Sequence, residues 1–190
     1  MKINIAIAGG PCTGKSTLAA ALFAELKSRG FDYDLIMEES RKLKKEFGHF
    51  RSVFERFYMW LQQEREELRS TALDGFISDM PLFHFYTHAR LYARTKRDNL
   101  AVRELFRMCL DKLDERYQLI IIARDPYEFS YKNDQSRESE EKTARKKHEL
   151  VRSFAEHFWP ERVIFVEGTV QERVSQVVAA VEKMKKVAKK

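Results

Sequence analysis

The sequence predicts an α/β fold, a three-layer α/β/α sandwich around a five-stranded parallel sheet. Three observations carry that expectation. Short, nearly continuous apolar runs recur along the chain, as strands buried on both faces require. Segments of helical periodicity separate them, so consecutive strands are joined by helical crossovers. The stretch "AIAGGPCTGKSTLAAALF" then joins the first apolar run to the first helix through a glycine-rich loop.

Taken in order, residues 3–8 form the first strand and residues 16–29 the first helix, with Leu18, Leu22 and Leu26 on one face and Gly30 as its stop. Residues 32–38 are the second strand. Residues 46–70 read as one long helix, because Phe47, Phe50, Phe54, Phe57, Leu61 and Leu68 recur at three-, four- and seven-residue steps. This set reads as core, with Tyr58 and Trp60 on its flank as candidates to stack on a base. Residues 75–79 are the third strand, closed by Pro81, and residues 82–93 and 100–116 are helical. Residues 117–123 are the fourth strand, followed by a polar, irregular stretch. A helix over 141–158, a fifth strand over 162–168 and a closing helix from 169 complete the chain. With neither repeat nor linker, residues 1–190 read as one domain. It carries a lid segment at about 125–147 and a basic tail over 183–190.

Composition narrows the class. Hydrophobic residues make up 44% of the 190, enough for a sizeable core. No apolar run reaches the length of a membrane span, and the apolar start lacks a cleavage-type site, so a soluble cytoplasmic protein (of a bacterium or phage-infected cell) is expected. Two cysteines, Cys12 and Cys109, are too few for a disulfide framework. Cys12 reads as a tolerated loop position, although oxidation there would obstruct the loop. The net charge of +6 is largely a tail property: Lys183, Lys185, Lys186, Lys189 and Lys190 supply five of those charges. That gives weak support for a polyanionic partner.

Residues 9–16, "GGPCTGKS", match G-x-x-x-x-G-K-[ST] with a strand before and a helix after. Glycines let backbone N–H groups curl around phosphate oxygens, and the helix N-terminus adds a favourable dipole. Gly9, Gly10, Pro11, Cys12, Thr13, Gly14, Lys15, Ser16 and Thr17 are the expected nucleotide site. Lys15 reaches the β- and γ-phosphates of ATP, and the Ser16 hydroxyl ligates Mg²⁺.

Residues leaving the carboxyl end of a parallel strand face the ligand crevice. Glu38 there can take the proton of an attacking hydroxyl, and Arg41 can grip an acceptor phosphate in a bidentate fork. The same cluster could instead start a helix. Asp79, at the end of the third strand, is the expected Mg²⁺ anchor; it could also be the base or an N-cap. Arg137, in the polar segment, can close over the triphosphate, with Arg145, Lys146, Lys147 and Arg124 as weaker candidates. His84 and His88 are four apart, as helix-borne metal ligands would be, but no third ligand is evident and no metal site is expected on them.

With these residues in place, the chain resembles the small P-loop kinases of phage and bacterial type over nearly its whole length. "EESR" falls where relatives carry Glu-x-x-Arg/Lys, "ISDMPL" where they carry an aspartate before Ser-Pro-Leu, and "VFVEGTVQERV" at the last strand and helix. "DPYEFSYKNDQSRESEEKTA" is similar to a lid bearing an arginine. The 5′-hydroxyl kinase domain of phage polynucleotide kinase, the phage kinases acting on 5-hydroxymethyluracil in DNA and nicotinamide riboside kinase domains share this plan. The resemblance implies Glu38 as base, Arg41 as holder of the acceptor phosphate and Arg137 as the contact to the ATP phosphates. Glutamate stands at position 38 where polynucleotide kinases have aspartate, and no phosphatase domain is expected within these 190 residues.

Function classes separate on further signals. No Asn/Thr-Lys-x-Asp guanine motif follows the fourth strand, which argues against a GTPase switch. The chain is short for a hexameric motor with a helical subdomain, and a pure binding module would not need an intact phosphate loop. The expectation is ATP-dependent phosphoryl transfer to a hydroxyl of a nucleotide-type acceptor, DNA first. A free nucleoside or nucleoside monophosphate comes second, and a P-loop ATPase without transfer third.

Overall fold

The computed structural model describes residues 1–38, 53–124 and 141–188. Five parallel strands form one sheet in the order β2-β3-β1-β4-β5: β1 Ile5–Ala8, β2 Tyr33–Ile36, β3 Gly75–Ser78, β4 Leu119–Ala123 and β5 Val163–Val166. The helices are α1 Lys15–Ser28, α2 Glu55–Leu68, α3 Phe83–Tyr92, α4 Lys96–Leu113, α5 Glu141–Phe158 and α6 Val170–Val187. A 3₁₀ turn, Pro160–Arg162, precedes β5.

Side chains alternate across the sheet, as strand geometry dictates. Ile5 and Ile7 of β1, with Leu119 and Ile121 of β4, pack with Leu18, Leu22 and Leu26 of α1 and Val174, Val177 and Val181 of α6. Ala6, Ala8, Ile120 and Ile122 face the other layer, where Phe83, Phe85, Phe154 and Trp159 fill the space over the small alanines. The Phe83 ring stacks on Phe154 at 5.8 Å and lies 5.7 Å from Trp159. Apolar side chains thus cover both faces of the sheet, which is why the strands read as continuous apolar runs.

Gly75 opens β3 at φ +125°, and a Cβ there would sit 2.6 Å from the Ile3 carbonyl oxygen. Only glycine lets the chain enter the sheet beside β1 at this point.

Two helices differ from expectation. α4 begins at Lys96, not 100, because Thr95 and Asp98 form a reciprocal capping box. α2 covers Glu55–Leu68 of the expected 46–70, whose residues 46–52 lie outside the described residues. Its inward face is also not the expected phenylalanine–leucine stripe: Leu61 and Leu68 are exposed, while Met59, Trp60, Gln63, Glu64 and Glu67 are buried.

The polar part of that face is satisfied by a network. Glu67 accepts from Tyr117 Oη at 2.7 Å and Ser78 Oγ at 2.9 Å and pairs with Arg116 at 3.3 Å. Glu64 holds Lys112 and Arg116. Burial pushes the Glu67 carboxyl up to about 7, against the pull of Tyr117 and Arg116. Hydrophobic periodicity cannot see a carboxylate that is buried because it is paired.

Candidate nucleotide-binding site

All five strands are parallel, so their carboxyl ends and the loops that follow lie along one edge. β1 leads into α1 on one face of the sheet, whereas β3 leads into α3 and α4 on the other. Adjacent strands that leave in opposite directions open a crevice between their ends. The glycine-rich loop follows β1 in that crevice.

The loop is shaped by its backbone. Gly9 has φ +145°, Cys12 φ +62° and Gly14 φ +80°. Gly14 is the N-cap of α1 and lends it no side-chain hydrogen bond, and the first turn of α1 holds no acid. By contrast, Thr169 with Glu172 boxes the start of α6, as Thr95 with Asp98 boxes α4. α1 thus presents its first amides to whatever anion lies over the loop. Inside the loop, the Gly10 carbonyl accepts from the Thr13 hydroxyl at 3.0 Å and from Lys15 Nζ at 2.8 Å, which brings the lysine back over the loop.

Three side chains that sequence reasoning did not assign to the loop hold it from behind. His84, the second residue of α3, accepts the Gly9 N–H on Nε2 at 3.2 Å. His148 of α5 accepts the Gly10 N–H on Nδ1 at 3.3 Å. Arg173 of α6, nearly buried, donates from Nε to the Gly168 carbonyl at 2.8 Å and from a terminal nitrogen to the Thr13 carbonyl at 3.5 Å. Burial, then the Lys15 charge and the neighbouring His148 ring, hold the His84 ring well below the ordinary histidine range. The four-residue spacing of His84 and His88 says nothing of this role: His84 acts as an acceptor for a glycine amide, a signal visible only in three dimensions. Among the described residues no group of three or more His, Cys, Asp or Glu is arranged to hold a metal ion.

Glu38 lies two residues beyond β2 and is half-buried. Asp79 directly follows β3, is fully buried, and donates its backbone N–H to the Ile36 carbonyl at 3.0 Å. That bond joins the carboxyl ends of β2 and β3, so Glu38 and Asp79 leave neighbouring strands at the same edge as the loop. Asp79 is no N-cap: α3 starts at Phe83, and its N-cap is Leu82. A carboxylate withdrawn from water is stable beside a cation or several donors. With the Ser16 hydroxyl, it gives the hard oxygen chemistry that suits Mg²⁺.

Arg41 and Arg137 lie outside the described residues, as does 125–140 of the expected lid. Residues 141–147 are the opening turns of α5, where Arg145 pairs with Glu141 at 2.7 Å and Lys147 lies over the Tyr92 ring at 5.2 Å. Arg124 pairs with Glu167 at 3.5 Å and rests on Phe165. Trp60 is fully buried in the core and is no stacking platform. The described part of the tail continues α6. Lys185 forms an ion pair with Asp74 and lies over Phe31, both of them residues that precede strands. The tail therefore starts at the amino edge of the sheet, opposite the glycine-rich loop.

A strand, a phosphate-type loop and a helix at the switch point of a parallel sheet define a P-loop α/β domain. Residues 4–173 match the family AAA_28, described as an AAA domain, and the chain belongs to that family. Solved structures share the fold. A NadR protein in complex with NAD and AMP-PNP superposes with TM-score 0.71 at 21% identity over 96% of this chain, which spans 49% of that one. A deoxyadenosine kinase from M. mycoides with bound dATP gives 0.65 at 14% identity, over 95% of this chain and 100% of that one. No curated protein matches the sequence. No helix among the described residues is long and apolar enough to cross a membrane.

Proposed function

We propose that the chain is an ATP-dependent kinase that transfers the γ-phosphoryl group to a hydroxyl of a nucleoside-type acceptor. The observation that carries this reading is the pair of acids, Glu38 and Asp79, at the ends of the two strands beyond the loop that holds Lys15. Phosphoryl transfer asks little covalent chemistry of a protein; it asks for positioning and for charge at the right places.

In this reading Lys15 and the loop amides hold the β- and γ-phosphates. Ser16 and Asp79 are the residues that would hold Mg²⁺, which when bound neutralises charge on the phosphate oxygens. Glu38 takes the proton from the acceptor hydroxyl, Arg41 orients the acceptor, and Arg137 offsets charge that develops on the transferring group. The deoxyadenosine kinase among the structural neighbours supports the reaction class by analogy of fold.

A free nucleoside is taken as the acceptor before the same unit within DNA. The expectation of DNA rested on the Glu-x-x-Arg pattern and the lysine-rich tail; Arg41 of that pattern lies outside the described residues, and Lys185 of the tail is engaged with Asp74 at the opposite edge of the sheet. A second reading, ATP hydrolysis without an acceptor, is favoured by the AAA description of the family.

Labelled ATP offered with nucleosides, nucleoside monophosphates, 5′-hydroxyl oligonucleotides and 5-hydroxymethyluracil duplex DNA tests the proposal. Label on a nucleoside or monophosphate is expected. Label on DNA alone would restore the polymer acceptor, and hydrolysis with every acceptor unlabelled would favour the ATPase.

A further inference from the structure

We propose that His84 and His148 are positioning residues of the phosphate loop, each using one ring nitrogen to fix the direction of one glycine amide. The inference rests on the reading of that loop as the nucleotide site.

A phosphate loop works only if its backbone is set before the ligand arrives, since amides that must be reoriented lose their electrostatic advantage. Amides that turn away from the phosphate need an acceptor behind the loop, because a buried N–H without one is costly. Gly9 and Gly10 are both buried, and their two amides find their acceptors on histidine rings. The rings come from different helices, α3 and α5, so the loop is fastened to two elements distant from it in sequence.

The fit is close at Gly9. A Cβ there would lie 3.2 Å from His148 Nδ1 and 3.2 Å from Thr13 Oγ1, so the ring rests almost on the glycine α-carbon. A ring nitrogen that accepts carries no proton, so each neutral ring is held in one tautomer. His84 has its proton on Nδ1 and His148 on Nε2. Lysine or arginine in either place would offer donors only and could not serve.

The two rings accept through different nitrogens, and that difference makes the inference specific. The amide oxygen of glutamine lies near the position of Nε2, and that of asparagine near the position of Nδ1. His84→Gln and His148→Asn therefore keep an acceptor in place, while His84→Leu and His148→Leu remove it. With the full chain, affinity for a non-hydrolysable ATP analogue is expected to fall about tenfold or more in each leucine variant, the loss of one positioned hydrogen bond. The glutamine and asparagine variants should stay within about threefold of wild type on the same scale. Thermal midpoints without nucleotide separate loop effects from loss of fold.

¹⁵N-histidine NMR of the wild-type chain reads the tautomers directly and needs neither a variant nor activity. His84 with Nδ1–H and His148 with Nε2–H are expected. The opposite tautomer at either ring, or leucine variants that fold and bind the analogue as wild type does, would overturn the proposal. A wild-type chain that shows the expected tautomers but binds no ATP analogue would refute the nucleotide site, and the positioning role with it. The hydrogen bonds themselves would stand.

Discussion

Lowering the pH from 6.5 to 5.5 sets three desolvated groups against one another. His84 is buried and His88 is half-buried with its Nε2 enclosed, and desolvation together with neighbouring groups holds both rings well below the ordinary histidine range. The titratable and cationic groups facing them are Lys15 and His148 for His84, and His84, Arg56, Lys147 and Lys15 for His88. A depressed histidine gives stability that is present above its unfolded value and lost as pH falls, because the unfolded chain takes up the proton that the native chain refuses. Over this interval each such ring costs about 1 kcal/mol. Glu67 has the opposite sign. Its carboxyl is raised to about 7, so its contribution grows as pH falls through that value, and over the same interval it returns about 1 kcal/mol.

These three groups together leave a net loss of about 1 kcal/mol. Urea midpoints at the two pH values, converted through the slope of the transition, measure the loss. Replacing Glu67 by glutamine removes the opposing group, so Glu67→Gln should lose about 1 kcal/mol more than wild type between the two pH values. His88→Leu, which exchanges a ring whose Nε2 finds no hydrogen-bond partner among the described residues for an apolar side chain, should lose about 1 kcal/mol less. Equal losses in the three proteins would refute the assignment of these groups as the desolvated titrating set.

Further outcomes follow from named residues. Lys15→Ala should abolish phosphoryl transfer, seen as loss of labelled product. Glu38→Gln should lower kcat by about a hundredfold or more while leaving ATP affinity nearly unchanged, as loss of a general base does; unchanged turnover would move the base to Asp79. Gly75→Ala should lower the thermal midpoint by several degrees, because the added Cβ meets the Ile3 carbonyl at a φ that alanine rarely adopts. Removing residues 183–190 should leave transfer to a nucleoside intact and cost some stability, since the Lys185–Asp74 pair goes with them.

Much of the layout was legible because it depends on local rules. A strand buried on both faces has to be a short apolar run, and β1, β3 and β4 are such runs. The glycine-rich loop was legible because its backbone twist demands particular residues at particular spacings. α2 was misread because its inward face is held by Glu64 and Glu67 against Lys112, Arg116 and Tyr117, partners about fifty residues away. The fastening of the loop by His84, His148 and Arg173 was illegible for the same reason: each contact spans seventy-five residues or more. Glu38 and Asp79 were found as strand-end acids, but their common edge became visible only through the Asp79–Ile36 backbone bond. Arg41 and Arg137 lie outside the described residues and stay proposals.

The central claim is transfer rather than hydrolysis, and ³¹P NMR of the full chain with Mg·ATP and a mixture of nucleosides and nucleoside monophosphates reads it directly. A new phosphomonoester resonance on an acceptor hydroxyl is predicted to grow in step with ADP, with little inorganic phosphate. Inorganic phosphate growing in step with ADP, and no phosphorylated acceptor, would contradict it.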